Sequence, residues 1–217
     1  ALTQYLIITL DETEDDSRAL VQKIKQAVQP KITMASADAF GNHLIKFFNV
    51  FHFDVLFASI PLEIIKAAHS YAVKTAISET DAATYQAMEA FIHNLNTMNS
   101  RAGAQVPFSS INYGTDTSLE GRMVMKNLLL ATEAGLGNNE TPIFPVQIFK
   151  VKEDVNYNPQ DPNYDIFQLA IKTSAKRLFP NFSFLDAPLN KQYYKKGDYN
   201  TEVAYMGCRT RVMSNVY

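Results

Sequence analysis

A chain of 217 residues with 47% hydrophobic and 19% charged residues can bury the core of one ordinary globular domain, or of two small ones. Its 20 basic and 22 acidic residues give a net charge of -2, which argues against nucleic acid or a membrane surface as a partner. No apolar run reaches the roughly 18 residues of a transmembrane helix, residues 1–10 lack a signal-peptide layout, and the single cysteine excludes an internal disulfide. We therefore expect a cytoplasmic protein.

Residues 1–61 predict a β-α-β-α-β segment. Apolar and β-branched runs alternate with helical spacing, and the candidate elements are residues 4–10, 17–28, 31–35, 38–50 and 53–60. Such a unit implies a parallel sheet with right-handed crossovers. Gly41 stands alone, so there is no glycine-rich phosphate loop after a strand. His43 and His52 have no partner at ligand spacing, so we expect no metal site here.

The composition changes at Pro61, and residues 62–217 form a second predicted segment of longer helices and short strands. Residues 62–77 predict one helix, and Thr80 or Asp81 can cap a second. Apolar residues then recur at the three-and-four spacing of a core-facing stripe, namely Tyr85, Met88, Ile92 and Leu95. We interpret this stripe as packing.

Residues 101–114 are unusually polar for a predicted strand, with the sequence RAGAQVPFSSINYG. Polar side chains at this density indicate either the wall of a cavity or a loop with turn chemistry, and the residue types alone favour neither.

The remaining elements continue the alternation of helix and strand. Ser118 is predicted to cap a helix that ends before Gly135 and Gly137, and residues 142–151 predict a strand. Asp161 or Asn163 can cap the next helix, whose predicted inner face is Ile166, Leu169, Ala170 and Leu178. Residues 181–185 and 201–206 are the last strand candidates. The pattern predicts the α/β class.

The only cysteine, Cys208, lies in the sequence YMGCRTR. Gly207 can carry it at the tip of a tight loop, and Arg209 and Arg211 could favour a nearby thiolate or an anionic ligand. The alternative is a buried cysteine that acts as a small hydrophobic residue. No histidine lies near Cys208 in the sequence, which weakens a Cys-His hydrolase interpretation.

The sequence from about residue 63 onwards resembles the catalytic subunit of anaerobic (class III) ribonucleoside-triphosphate reductases, a family of glycyl radical enzymes. The resemblance is dense, and its segments are TYQAMEAFIHNLNTMNSRAGAQVPFSSINYGTDTS, EGRMVMKNLLLATEAGLG, TPIFPVQIFKVK, NYNPQDPNYD, SAKRLFPNFSFLDAP and EVAYMGCRTRV. Residues 1–60 carry no such resemblance.

The resemblance implies a fragment of a ten-stranded α/β barrel, in which Cys208 lies on a finger loop. In this family a glycyl radical near the carboxyl terminus passes to that cysteine, and the thiyl radical removes the 3′ hydrogen of a ribonucleotide. Formate or a thiol system then supplies the reducing equivalents. The matching motifs place Met206, Arg101, Ser109, Ser110 and Asn112 at the substrate cavity.

Further partners follow from the same resemblance. We expect a ribonucleoside triphosphate substrate, a radical S-adenosylmethionine activating enzyme, a homodimer, and a zinc site and an ATP or dNTP effector site in other parts of the parent enzyme. The glycyl radical segment is not among these residues. The chain alone is therefore expected to be inactive.

Two alternatives remain open from the sequence. The first is another glycyl radical enzyme of the formate acetyltransferase type, although a single cysteine rather than a cysteine pair argues against it. The second is a non-catalytic nucleotide-binding or interaction domain built on residues 1–60. A core of residues 1–60 that is separate from residues 102–112 would favour this second alternative. For the reductase we predict Cys208 on a loop between two strands. We also predict a strand within residues 101–113 whose alternate side chains point into the same cavity as Cys208.

Overall fold

The computed structural model describes residues 62–99, 103–208 and 210–212. The predicted β-α-β-α-β segment, its packing against residues 102–112, and Arg101 lie outside the described residues. The chain divides into two compact units, residues 1–82 and residues 83–217. The first unit is described here only by the beginning of helix α1, and apart from that part of the helix the features below belong to the second.

Helix α1, Leu62–Thr97, is continuous, so the predicted break before Thr80 or Asp81 is wrong. Thr80 does not cap a new helix. Its Oγ1 instead donates to the carbonyl oxygen of Ala76 at 2.7 Å, one turn earlier, which is how threonine is accommodated inside a helix. No glycine or proline lies between Ile77 and Asp81 to end the helix.

Three strands form a parallel sheet in the order β1–β2–β3, connected by helices. The elements in chain order are β1 Ser110–Tyr113, α2 Leu119–Ala134, β2 Val146–Val151, α3 Tyr164–Arg177 and β3 Asn181–Phe184. Strand β2 is central, with Ser110 opposite Val146 on one side and Ile148 opposite Asn181 on the other. The α/β class predicted from the sequence is confirmed.

Helix α2 has the ends that the sequence predicts. The Oγ of Ser118 accepts the N–H of Gly121 at 3.0 Å, which satisfies one of the free donors of the first turn. Gly135 ends the helix with a φ of 82°, a conformation that glycine adopts without a Cβ penalty. Local capping chemistry therefore determines both boundaries of this helix.

Strand β2 begins at Val146, later than the predicted start at residue 142. Asn96, near the end of α1, binds the preceding residues through its side chain. Its Oδ1 accepts the N–H groups of Ile143 and Phe144 at 2.8 and 3.0 Å, and its Nδ2 donates to the Phe144 carbonyl at 2.6 Å. The backbone of these two residues therefore has a side-chain partner in place of a strand partner.

The main core lies between the sheet and helices α2 and α3. Alternate residues of β2 face this core, because the side chains of a strand alternate between its two sides. The buried residues of the core are Met125, Leu129, Phe149, Val151, Ile166 and Ala170. Leu178, predicted for this inner face, is 80% exposed. It is the C-cap of α3 in a left-handed conformation, so it has left the helical repeat.

After β3 the chain forms a short helix, α4 Pro188–Lys191, and then an antiparallel pair of strands, β4 Ala204–Met206 and β5 Thr210–Val212. Single 3-10 turns occur at Gly137–Asn139 and Tyr199–Thr201. In the described part of the chain no helix combines the length and apolarity needed to cross a membrane.

Candidate active site

Cys208 lies in the turn that connects β4 to β5. The last pair before the turn is Met206 opposite Thr210, so Cys208 occupies the tip of a narrow hairpin, which we call the finger (residues 204–212). The cysteine is exposed. The prediction that it lies on a loop between two strands is confirmed.

Gly207, immediately before the cysteine, has a φ of 66° and is buried. A Cβ built at this position would lie 3.2 Å from Cζ of the Phe108 ring. Both observations favour glycine, because other residues are strained in the left-handed region and the space beside it is taken. The sequence prediction that Gly207 permits the tight turn is confirmed.

Two polar side chains of β1 hold the finger backbone. Asn112 binds Tyr205 at both of its backbone groups: Nδ2 donates to the carbonyl oxygen at 2.7 Å, and Oδ1 accepts the N–H at 2.8 Å. Ser110 accepts the N–H of Gly207 through its Oγ at 3.0 Å. Since residues two apart in a strand share a face, Ser110 and Asn112 form one row beneath the finger.

This row lies on the side of the sheet opposite the helices. Ile111 and Tyr113, which alternate with it, pack towards the helices. Asn112 lies beneath Tyr205 and Ser110 beneath Gly207, so the finger runs antiparallel to β1. The incoming strand of the finger, β4, therefore passes along the face of the sheet opposite the described helices, towards the amino edge of the sheet.

The structure describes four of the five residues that are expected to contact the substrate. Ser110 and Asn112 reach the finger beside Cys208, as described above, and their observed partners are backbone groups. Ser109 has a buried Oγ with no hydrogen-bond partner among the described residues, and Met206 is 61% exposed on β4. Contact of these four side chains with substrate stays a prediction, as does any role of Arg101.

Arg211 has partners away from the cysteine. Its Nη2 donates to the carbonyl oxygen of Leu189 at 2.9 Å, and its guanidinium lies over the ring of Tyr193 at 5.7 Å. The expectation that this arginine acts on the Cys208 thiol is therefore not supported. It ties the outgoing strand of the finger to helix α4.

Sequence reasoning missed the role of two asparagines that connect the loops beside the sheet. Asn156 donates through Nδ2 to the carbonyl oxygens of Gly114 and Lys150, both at 2.9 Å. Asn163 lies at the predicted N-cap of α3, but its Nδ2 donates to the backbone carbonyl oxygen of Asp116 at 2.7 Å, and its side chain does not cap the helix. Both lie in the motif NYNPQDPNYD, where asparagines on either side of a pair of prolines were the available signal.

A cavity of about 550 Å³ opens at the carboxyl ends of β2 and β3, lined among others by Lys152, Leu185, Tyr194 and Glu202. Ligands of α/β sheets often bind at this edge. Cys208 is not one of its lining residues, so the cavity and the thiol are separate features. Within the described ranges, no three His, Cys, Asp or Glu side chains are grouped as metal ligands.

Comparison with known proteins gives consistent results. Residues 18–216 match the family model described as "Anaerobic ribonucleoside-triphosphate reductase", a range that includes much of the segment that carried no resemblance in the sequence. The chain is 39% identical over 140 residues to the anaerobic ribonucleoside-triphosphate reductase of Enterobacteria phage T4, covering 64% of this chain and 22% of the relative.

The corresponding protein of Escherichia coli is 33% identical over 147 residues, which cover 67% of this chain and 19% of that protein. The relative from Salmonella typhimurium is 34% identical over 134 residues, or 61% of this chain and 18% of the relative. The chain thus spans about a fifth of the length of the relatives it matches.

Proposed function

The chain belongs to the anaerobic ribonucleoside-triphosphate reductase family, and on that premise we propose that it holds the radical-forming cysteine of such a reductase. The single observation that carries the proposal is the position of Cys208. The only cysteine of the chain lies at the tip of a hairpin whose backbone is held by Ser110 and Asn112. A packing role would not require an exposed thiol on an anchored turn.

The proposed chemistry uses the thiol as a carrier of one unpaired electron. A glycyl radical elsewhere in the enzyme takes the hydrogen atom of the Cys208 thiol, so that a glycine C–H bond forms as the S–H bond breaks. The thiyl sulfur then takes the 3′ hydrogen atom of a ribonucleoside triphosphate, so that a new S–H bond forms as the C–H bond breaks. Loss of the 2′ hydroxyl as water and a two-electron reduction by formate, which is oxidised to carbon dioxide, complete the proposed conversion to the deoxyribonucleotide.

The anchored backbone supports this role. Transfer of a hydrogen atom requires the reacting atoms to be held roughly 3 to 3.5 Å apart. Hydrogen bonds to Tyr205 and Gly207, which lie three residues and one residue before Cys208, restrict the backbone that carries the thiol. Met206, Ser109 and Arg101 remain proposed neighbours of the substrate, and Ser110 and Asn112 are proposed to line its cavity as well as to hold the finger.

We extend the proposal to the parent enzyme. The three-stranded parallel sheet would be one part of a ten-stranded α/β barrel that surrounds the finger. The parent would bind zinc and an ATP or dNTP effector, would be activated by a radical S-adenosylmethionine enzyme, would form a homodimer, and would act in the cytoplasm in deoxyribonucleotide synthesis.

The test replaces the cysteine in the full open reading frame that contains this sequence. Cys208→Ala and Cys208→Ser are expected to give no detectable deoxyribonucleotide under anoxic conditions with activating enzyme, S-adenosylmethionine and formate. The glycyl radical signal in electron paramagnetic resonance should persist, because the glycine is oxidised before the cysteine takes part. Serine tests the sulfur specifically, since it preserves the size and the polarity of the side chain.

Glu140→Gln is the matched control. Glu140 is exposed on the loop before β2, so this variant should reduce nucleotides at the wild-type rate. Deoxyribonucleotide formation by the alanine variant of Cys208 would refute the proposal.

A further inference from the structure

The incoming strand of the finger begins at a shielded charge cluster. The carboxylate of Glu202 contacts Nζ of Lys150 at 2.8 Å and Nζ of Lys152 at 3.4 Å. Its side chain is only 10% exposed, and that of Lys150 only 13%. We call these three residues the clamp. Charges so far removed from water interact more strongly than a surface pair would.

A fourth residue ties the preceding loop to the same cluster. Nζ of Lys152 lies 3.3 Å from the hydroxyl of Tyr194 and 4.5 Å from the centre of its ring. Burial lowers the pKa of Lys152, but the hydrogen bond with Tyr194 and the charge of Glu202 outweigh it, so the pKa lies above its ordinary value of 10.5. Lys152 is therefore a cation at neutral pH.

The clamp is the first of three anchors along the incoming strand of the finger. Glu202 binds lysines at the end of β2, Tyr205 binds Asn112 of β1, and Gly207 binds Ser110 of β1. Strand β4 pairs only with β5 among the described strands and is not part of the parallel sheet. Side chains, not a backbone ladder, therefore fix the register of the finger on the sheet.

Register matters because of the distances involved. A slip by two residues moves a strand by roughly 6.6 Å and returns the same kind of backbone edge to the same side, because side chains and backbone groups of a strand alternate with a period of two. That displacement is about twice the separation across which a hydrogen atom is transferred. Asn112 and Ser110 bind backbone groups, which every residue has, so their hydrogen bonds could form again with a strand slipped by two residues. The Phe108 ring beside Gly207 opposes such a slip only sterically, and among the three anchors only the clamp identifies a particular side chain.

We propose that Glu202 is a positioning residue: its carboxylate, held by Lys150 and Lys152, sets the register that places Cys208 at the reacting position. This inference rests on the proposed function for its catalytic consequence, but its structural part is independent of it. Buried polar residues that fix register at a cost in stability are known from coiled coils. The clamp is the corresponding device for the finger.

The structural part is tested by hydrogen exchange on this chain. In Glu202→Gln, the amides of Tyr205 and Gly207 should exchange at least tenfold faster than in the wild type, while the amide of Ile148 in β2 keeps its protection. The matched control is Glu133→Gln. Glu133 also pairs with two lysines, Lys172 and Lys176, and is 15% exposed, but it lies on α2.

Unchanged exchange at Tyr205 and Gly207 in Glu202→Gln would overturn the inference, as would equal acceleration in Glu133→Gln. If Glu202→Gln does not fold, Glu202→Asp decides, because it keeps the charge and shortens the side chain by one methylene. The aspartate variant should accelerate exchange at the same two amides, and wild-type exchange there would again overturn the inference.

The catalytic part is tested in the full open reading frame. Glu202→Gln should lower kcat at least tenfold, with unchanged KM for the nucleotide and an unchanged glycyl radical signal. A purely structural role would lower the radical yield or raise KM as well. Wild-type kcat together with accelerated exchange would overturn the positioning role and leave the proposed function intact. Reduction by Cys208→Ala would overturn the proposed function and leave the exchange result standing.

Discussion

The hydroxyl of Tyr113 donates a hydrogen bond to Oε1 of Gln147 at 2.7 Å, between neighbouring strands β1 and β2. Gln147 is 1% exposed and donates in turn to Oγ1 of Thr132 at 2.8 Å. Oγ1 of Thr132 in turn donates a hydrogen bond to the carbonyl oxygen of Leu128 at 2.7 Å. The sheet and helix α2 are thus joined by a chain of donors and acceptors inside an apolar layer.

Tyr113→Phe is expected to lower the free energy of unfolding by about 1 to 3 kcal/mol near neutral pH, because Oε1 of buried Gln147 loses its donor. Denaturant unfolding of this chain measures the change. Tyr157→Phe is the control, since Tyr157 is 51% exposed, and it should alter stability by less than about 0.5 kcal/mol.

The same residue gives a pH dependence. Burial raises the pKa of Tyr113 well above its ordinary value of 10.0. In the unfolded chain the phenol loses its proton near pH 10.0, whereas the folded chain still holds it. The contribution of Tyr113 is therefore complete below pH 10.0 and is lost as the pH rises through the folded pKa. The stability difference between wild type and Tyr113→Phe should shrink over this range, and a constant difference would contradict the prediction.

Asn112→Asp tests how the finger is held. The carboxylate can still accept the N–H of Tyr205, but it places a second oxygen against the Tyr205 carbonyl where Nδ2 now donates. We expect a loss of about 1 to 3 kcal/mol in stability and faster amide exchange at Tyr205. Asn138→Asp, at an exposed position on a 3-10 turn, is the matched control and should leave both quantities unchanged.

Gly207→Ala is expected to destabilise the chain by roughly 1 to 2 kcal/mol, the cost of a Cβ in the left-handed region, and in addition to displace the Phe108 ring. Gly197→Ala separates the two effects, because Gly197 has a φ of 88° with no atom within 4 Å of its Cβ position. Adding Phe108→Leu should recover stability in the Gly207 variant but not in the Gly197 variant. Equal recovery in both would show that the contact with Phe108 is not involved.

Arg177→Lys tests the buried cap of helix α2. Arg177 is 4% exposed and donates to the carbonyl oxygens of Glu133, Ala134 and Asn139 at 2.8 to 2.9 Å. Lysine keeps the charge but not the planar set of donors, so we expect a loss of about 2 kcal/mol in urea unfolding. Lys176→Gln, half-exposed beside it, should cost less than about 1 kcal/mol. A smaller effect for the arginine variant than for this control would contradict the prediction.

The sequence by itself determined the local features of this protein. Ser118 and Gly135 fixed the ends of α2 because caps use neighbouring backbone groups. The alternation of elements after residue 100 gave the α/β class, and Gly207 before Cys208 gave the tight turn. The resemblance to a known family, carried by contiguous motifs, led to Cys208 itself.

Only the tertiary structure decided which distant residues meet. Asn112 and Tyr205 are 93 positions apart, and the Lys150–Glu202 pair is 52 positions apart, so no local spacing could indicate either contact. The continuity of α1 through Thr80 and the exposure of Leu178 were likewise missed. A helical spacing of apolar residues indicates which residues can share a face of a helix. Tertiary packing and the geometry of the last turn determine where that helix ends.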